Sequence, residues 1–317
     1  MDTQEPVLTL EVAAITREAE DVVALELRAP DGEPLPDWTP GAHVDLILDN
    51  GIERQYSLCG DPATPGSWRV AVLREPESRG GSAYVHDELR PGARMEVRGP
   101  RNHFPLLDGE EYRMIAGGIG ITPLLAMVEE LEATGAPWRM LYGGRRRASM
   151  AFLDRLGRFD GKVQCRPQDE FGLLDLAGFL DGLSAGTRVY ACGPEPLIEA
   201  VEALATGWPE GVLNVERFHP KDGALDGPDV AFTVVCATSG IEVEVPAGSS
   251  IVDVLGEHGI DVPTSCREGT CGTCETVVLE GIPDHRDSIL TPAEQEGNDI
   301  MMVCCGRAKT PTLVLDL

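Results

Sequence analysis

The sequence predicts a multidomain chain: an antiparallel β-barrel, then an α/β domain with a parallel sheet, then a small α+β domain. Three observations carry this. At 317 residues with 42% apolar content, the chain exceeds one ordinary domain and can build more than one core. Residues 7 to about 107 read as short alternating or apolar runs, each ending in Gly, Pro, Asp or Asn. From Tyr112 strand-like and helix-like segments take turns, the mark of a parallel sheet covered by helices.

The barrel runs are VLTLEVAAI, VVALELRAP, HVDLILDN, RQYSLCG, WRVAVLRE and ARMEVRGP, with one helical piece, SAYVHDELR. They place the first domain at residues 1–108. In the second, at 109–220, YRMIAGG, WRMLYGG, VQCRP and RVYACGP read as strands. TPLLAMVEELEATG, MAFLDRLGRF and EPLIEAVEALATGW read as helices, and the segment ends near NVERF. The polar, Gly-, Pro- and Asp-rich stretch HPKDGALDGPD reads as a linker, taken as residues 221–229. The third domain, 230–317, opens on a hairpin, AFTVVCATSG with IEVEVPAG. It continues through a short helix, SIVDVLGEHG, a strand, ETVVLEG, and a final MMVCCGRA with TLVLDL.

With 53 acidic against 26 basic residues, the net charge is −27, which argues against a nucleic-acid partner. It fits solubility or a basic protein partner. MDTQEPVLTL has no basic n-region, and no apolar run reaches 18 residues. The expectation is a cytoplasmic protein with no membrane segment. Nine scattered cysteines are an odd number for structural disulfides in a reducing compartment, so a local cluster points to metal.

That cluster is SCREGTCGTC. Cys266, Cys271 and Cys274 give C-x4-C-x2-C, and Cys304 follows after 29 further residues. This is the plant-type spacing for a [2Fe–2S] cluster, in which two irons take four thiolates, three from one tight loop. Gly269 and Gly272 let the loop fold sharply and leave amide groups to face the sulfurs. Zinc is the alternative, although its ligands usually come as two C-x2–4-C pairs. Spacing does not choose between Cys304 and Cys305. In a strand, adjacent side chains point to opposite faces, so one faces the cluster and the other does not.

SCREGTCGTCETVVLEGIPDHRD and MMVCCGRA resemble the C-terminal ferredoxin domain of the phthalate dioxygenase reductase family, which includes vanillate demethylase reductases. The resemblance covers essentially the whole chain, in the order flavin domain, nicotinamide domain, β-grasp-like ferredoxin domain. It implies that Cys304 is the fourth ligand and Cys305 a bystander.

RQYSL resembles the family's R-x-Y-[ST] flavin signature. Arg54 then pairs with the flavin phosphate, Tyr56 packs on the ribityl chain or ring, and Ser57 hydrogen-bonds the flavin edge. Gly80, Gly81 and Ser82 open the helix of the barrel region, where free amides favour an anion. Ser82 also suits the helix cap. Gln55, Ala71 and Val72 complete the implied flavin-binding set. The resemblance implies FMN rather than FAD.

IAGGIGITPLLAM lays out a strand, a glycine turn and a helix starting near Pro123, as for a pyrophosphate at a helix N-terminus. A proline stands where the third glycine of the generic fingerprint belongs. The stretch is more similar to the family's G-G-x-G-[IV]-[TS]-P motif, with Gly118, Gly120 and Pro123. The resemblance places Thr122 near both nicotinamide and flavin, and Cys192, Gly193 and Pro194 of YACGPEPLI near the nicotinamide ring. Phe218 of ERF would shield the flavin and give way to the nicotinamide. Arg145, Arg146 and Arg147 offer a site for the 2′-phosphate of NADPH, yet the family mostly uses NADH, which is the expected cofactor.

A nicotinamide site, a flavin site and a ferredoxin domain on one chain make a converter from hydride to single electrons. The chain has neither a Rieske-type Cys/His pair nor a His/His/carboxylate triad, so its electrons leave to a partner. The resemblance makes that partner a separate Rieske-type dioxygenase or demethylase, or a cytochrome P450. A monomer is the expected state. The alternatives are a stand-alone flavin or quinone reductase, or a redox sensor. His43, His86, His103, His219, His258 and His285 read as surface or packing residues.

Overall fold

In the computed structural model, which describes residues 6–317, the alternating runs pair as a six-stranded antiparallel sheet. Its strands are β1 (Val7–Ala19), β2 (Val22–Arg28), β3 (His43–Ile47), β4 (Glu53–Ser57), β5 (Trp68–Leu73) and β6 (Arg94–Arg101), in the order β4-β3-β6-β1-β2-β5. Leu58, just past β4, bridges to Val70 in β5, and the Cys59 amide donates to the Arg69 carbonyl at 2.8 Å. These contacts join the two edge strands, so the sheet closes into a barrel. Leu10, Leu25, Leu27, Val44, Leu46 and Val97 pack its interior. A short helix, α1 (Gly81–Asp87), interrupts the run between β5 and β6.

The alternating second part forms a five-stranded parallel sheet. Its strands are β7 (Glu111–Gly117), β8 (Trp138–Gly144), β9 (Val163–Pro167), β10 (Thr187–Cys192) and β11 (Leu213–Glu216), in the order β11-β10-β7-β8-β9. Helix α2 (Ile121–Thr134) leads from β7 to β8. Pro123 lies in its first turn, where the missing N–H has no partner to lose. The expected helix over MAFLDRLGRF shrinks to one turn, α3 (Leu153–Leu156), because Phe152 enters it in the left-handed region and Gly157 ends it. Two further one-turn helices, α4 (Gln168–Phe171) and α5 (Leu176–Phe179), precede β10, and α6 (Glu195–Leu204) follows it.

The chain leaves β7 for β8 and β9 on one side, then returns to β10 and β11 on the other. The direction therefore reverses between β7 and β10, and the carboxyl ends of those strands frame the crevice where such sheets bind ligands. Barrel and sheet share a core: Val22, Ala24 and Ala71 of the barrel cluster with Met114, Leu124 and Tyr190. Arg155 donates to the Cys59 carbonyl at 2.7 Å and pairs with Glu129. Tyr190 donates to the Pro105 carbonyl at 2.9 Å. The two parts form one compact unit that ends at Glu216.

The second unit, Arg217–Leu317, holds β12 (Phe232–Cys236), β13 (Ile241–Val245), α7 (Ile251–Glu257), β14 (Glu275–Glu280), β15 (Pro283–Asp284), α8 (Pro292–Gly297), β16 (Ile300–Met302), β17 (Arg307–Ala308) and β18 (Thr312–Leu315). Its mixed sheet runs β13-β12-β18-β14-β16, with β12 and β18 parallel, while β15 and β17 pair separately. The Ser250 hydroxyl caps α7 by accepting from the Asp253 amide at 3.1 Å. Ile251, Val254 and Leu255 then bury one face of that helix against Phe232, Val234 and Leu313.

The stretch read as a linker is tied to this unit. Arg286 donates to the Pro228 carbonyl at 2.7 Å, and Arg307 pairs with Asp229 at 3.1 Å and donates to the Val230 carbonyl at 2.9 Å. Both arginines are buried. All nine cysteines are free, and among the described residues no helix is long and apolar enough to cross a membrane.

Candidate redox site and cysteine loop

Two stretches far apart in sequence meet on the barrel. Arg54, in β4, passes alongside Gly81 at the start of α1 and donates to the Glu53 carbonyl at 2.8 Å and the Arg79 carbonyl at 3.5 Å. The α1 N-cap is Gly80, in the left-handed region at φ 94°, and not Ser82. The Ser78 hydroxyl supplies the capping oxygen, accepting from the amides of Gly80 and Ala83 at 3.2 Å each. Ser82 lies inside the first turn, where its hydroxyl accepts from the Glu75 amide at 3.1 Å and donates to Ser78 at 3.0 Å. A guanidinium beside the first turn of a helix suits a phosphate.

Next along β4, Gln55 and Tyr56 are half-buried. Burial pushes the Tyr56 phenol up to about 12, with Arg54 pulling it back. Ala71 lies in the core shared with the sheet. Val72 points into the barrel core, and its carbonyl meets the His86 ring at 3.0 Å, so its side chain is not part of the Arg54 surface.

The second set gathers at the carboxyl ends of β7 and β10. Gly118 and Gly120 form a tight turn ahead of α2. A Cβ on Gly120 would lie 2.4 Å from the Cys192 carbonyl oxygen, so the glycine turn packs directly on the Cys192-Gly193-Pro194 turn. Only a residue without a side chain allows that approach. Thr122 is buried and donates its hydroxyl proton to the Ile119 carbonyl at 2.9 Å, which leaves its oxygen as an acceptor. Cys192 is buried, and burial together with Glu216 pushes its thiol well up, so it stays protonated and is no nucleophile. Arg145, Arg146 and Arg147 are exposed after β8, and Arg146 is paired with Glu20 at 2.7 Å. Phe218 is exposed and belongs to the second unit's part of the chain.

Glu216 joins the barrel and sheet halves of this site and is the residue that sequence reasoning missed. It ends β11 and sits opposite Cys192 in the register. The residue as a whole is partly accessible, as expected for an edge strand, but its Oε2 is sealed from solvent and has no hydrogen-bond partner. Burial pushes its carboxyl up to about 8, and a hydrogen bond with Ser57, itself buried at the end of β4, pulls it partly down. The carboxyl is therefore largely protonated at neutral pH. Ser57 and Cys192 thus flank the Glu216 carboxyl, which carries no charge while protonated.

In the second unit, residues 265–274 wrap without regular structure between α7 and β14. Cys266 lies beside Cys271 and Cys304, Cys304 lies beside Cys274 and Cys305, and the Cys271 thiol donates to the Thr273 hydroxyl at 3.2 Å. The amides of Glu268 and Thr270 donate to the Cys266 sulfur at 3.3 and 3.4 Å, and the Gly269 amide donates to Cys304. Cys271, Cys274 and Cys304 are buried, and Cys266 is half-buried. Among the described residues no group of three or more His, Cys, Asp or Glu side chains is placed to hold a metal ion. The four thiols form one connected group, with Cys266 beside Cys271 and Cys274 beside Cys304, and the amides directed at sulfur stabilise added negative charge. The donor set fits a [2Fe–2S] cluster.

The expected strand through Cys304 and Cys305 is absent. β16 stops at Met302, whose carbonyl accepts from the amides of Cys305 at 3.4 Å and Gly306 at 2.8 Å. Residues 303–305 form a turn, and the two cysteine side chains lie together rather than on opposite faces.

Residues 234–309 match the model of the 2Fe-2S iron-sulfur cluster binding domain, and residues 114–203 that of the oxidoreductase NAD-binding domain. A phenoxybenzoate dioxygenase subunit beta from Ectopseudomonas oleovorans is 44% identical over 318 residues, covering 99% of this chain and 98% of its own. Phthalate dioxygenase reductase is described as a modular structure for electron transfer from pyridine nucleotides to [2Fe-2S]. Its solved structure superposes with a TM-score of 0.72 at 35% identity, covering 98% of each chain. An intact type IV self-sufficient cytochrome P450 monooxygenase superposes with a TM-score of 0.90 at 43% identity over 100% of this chain. This chain spans 42% of that one.

Proposed function

The chain belongs to the phthalate dioxygenase reductase family, and from that membership we propose that it takes a hydride from NADH and delivers single electrons to a separate oxygenase. The observation that carries this reading is the Ser57–Glu216–Cys192 cluster at the crevice between β7 and β10, where the barrel meets the nucleotide sheet. A flavin bound there supplies the exchange between a two-electron hydride and single electrons.

Arg54 and the amides that open α1 hold its phosphate, which suits the terminal phosphate of FMN. Tyr56 packs on the flavin, and Ser57 bridges it to Glu216. Glu216 holds a proton in reserve beside Ser57. Gly118, Gly120 and the amides at the start of α2 receive the dinucleotide pyrophosphate, with Thr122 and the Cys192-Gly193-Pro194 turn beside the nicotinamide. NADH rather than NADPH is proposed from the family membership.

Cys266, Cys271, Cys274 and Cys304 are assigned as cluster ligands. Cys304 is preferred over Cys305 because its sulfur contacts two other ligand thiols. From residue 230 onward the chain carries 14 acidic and 4 basic residues, which favours a basic docking surface on the partner. The names of the relatives point to a Rieske-type oxygenase or a cytochrome P450 as that partner. A cytoplasmic protein is consistent with nine cysteines that form no disulfide.

The test is NADH-driven turnover of a Cys274→Ala variant with two acceptors. Reduction of a two-electron dye should persist while reduction of cytochrome c collapses. Equal retention of both activities would favour a stand-alone flavin reductase.

A further inference from the structure

The turn after β16 sets two thiols side by side, and the assignment above uses only one. The Cys305 thiol lies beside the Cys304 sulfur and donates to the Met302 carbonyl at 3.8 Å. Its own sulfur also reaches into the cysteine loop: a Cβ on Gly269 would lie 2.6 Å from it. Gly269 holds φ +69° and directs its amide at Cys304, so the Cys305 thiol sits among the groups that surround that ligand. Cys305 is half-buried, beside Cys304 and near Cys274.

We propose that Cys305 is a reserve ligand of the cluster, able to bind iron in place of Cys304. The inference rests on the [2Fe–2S] reading above. The exchange is a ligand substitution without electron transfer. The bond between iron and the Cys304 sulfur breaks, the Cys305 thiol gives its proton to the departing Cys304 thiolate beside it, and a bond between iron and the Cys305 sulfur forms. Soft iron accepts either thiolate. A one-residue shift within an existing turn is needed, and no strand pairing has to be broken, because β16 ends at Met302 and β17 begins at Arg307. Cys274, the partner of Cys304, has Thr273 and Glu275 as neighbours and no such substitute.

The experiment compares the full-length wild type with Cys304→Ala, Cys305→Ala, Cys274→Ala and the Cys304→Ala/Cys305→Ala double variant, all purified anaerobically. Iron and sulfide are measured per flavin, and the electron paramagnetic resonance spectrum of the reduced protein is recorded. Cys305→Ala should keep full iron and the wild-type spectrum. Cys304→Ala should keep its iron with shifted g values, while the double variant and Cys274→Ala lose it. Flavin retained at wild-type level in all five shows that the rest of the chain is folded. Iron loss in Cys304→Ala equal to that in Cys274→Ala would overturn the proposal. A wild-type spectrum in Cys304→Ala with loss in Cys305→Ala would make Cys305 the native ligand, overturning both the proposal and the assignment of Cys304. Absence of iron and sulfide from the wild type would instead overturn the cluster reading itself.

Discussion

Replacing Glu216 with glutamine should stabilise the first unit, and the gain should grow with pH. The carboxyl moves from 4.5 to about 8 on folding because burial disfavours its charged form. A carboxyl raised in the folded state costs nothing below its unfolded pKa. The cost appears as pH rises through 4.5, when the unfolded chain ionises freely and the folded one does not, and it levels off above about 8. At about 1.4 kcal/mol per pH unit, the cost is about 1 kcal/mol at pH 5 and about 4 kcal/mol at pH 8. Glutamine keeps the shape and carries no such cost. The melting temperature of Glu216→Gln minus that of wild type should therefore widen by roughly 6 to 12 °C between those pH values. Thermal melts of both proteins across that range, followed by flavin release, provide the assay. A difference that stays constant with pH would refute the claim that burial holds this carboxyl protonated.

Three further outcomes follow from the site. Arg54→Ala removes the guanidinium at the opening of α1 and should weaken flavin retention by about 1.5–3 kcal/mol, read by flavin fluorescence on dilution. Gly120→Ala forces a Cβ toward the Cys192 carbonyl and should cut kcat/KM for NADH by about 100-fold, while flavin content stays unchanged. Electron delivery to a basic acceptor protein should fall by at least about tenfold from low to high salt, while dye reduction holds steady.

Much of the fold was legible because periodicity and turn residues act locally. The barrel strands, the glycine turn ahead of α2 and the four cysteines each carry their own signal in a few residues. What was hidden depends on contacts between distant residues. Glu216 is a single acidic residue in ERF, and only the approach of Ser57 from the barrel and Cys192 from β10 seals its carboxyl. MMVCC reads as an apolar strand until the Met302 carbonyl captures two amides and turns the chain. HPKDGALDGPD has the composition of a tether, but its carbonyls are held by Arg286 and Arg307, about 60 to 80 residues onward. MAFLDRLGRF has helical spacing, yet Gly157 limits it to one turn.

The central claim is that hydride enters at the first unit and leaves as single electrons through the second. An anaerobic titration of the purified protein with NADH, followed by visible and electron paramagnetic resonance spectra, tests it most directly. Loss of the flavin band together with partial bleaching of an iron–sulfur band and a reduced-cluster signal is the predicted result. Flavin bleaching with an iron–sulfur band that stays oxidised would contradict it.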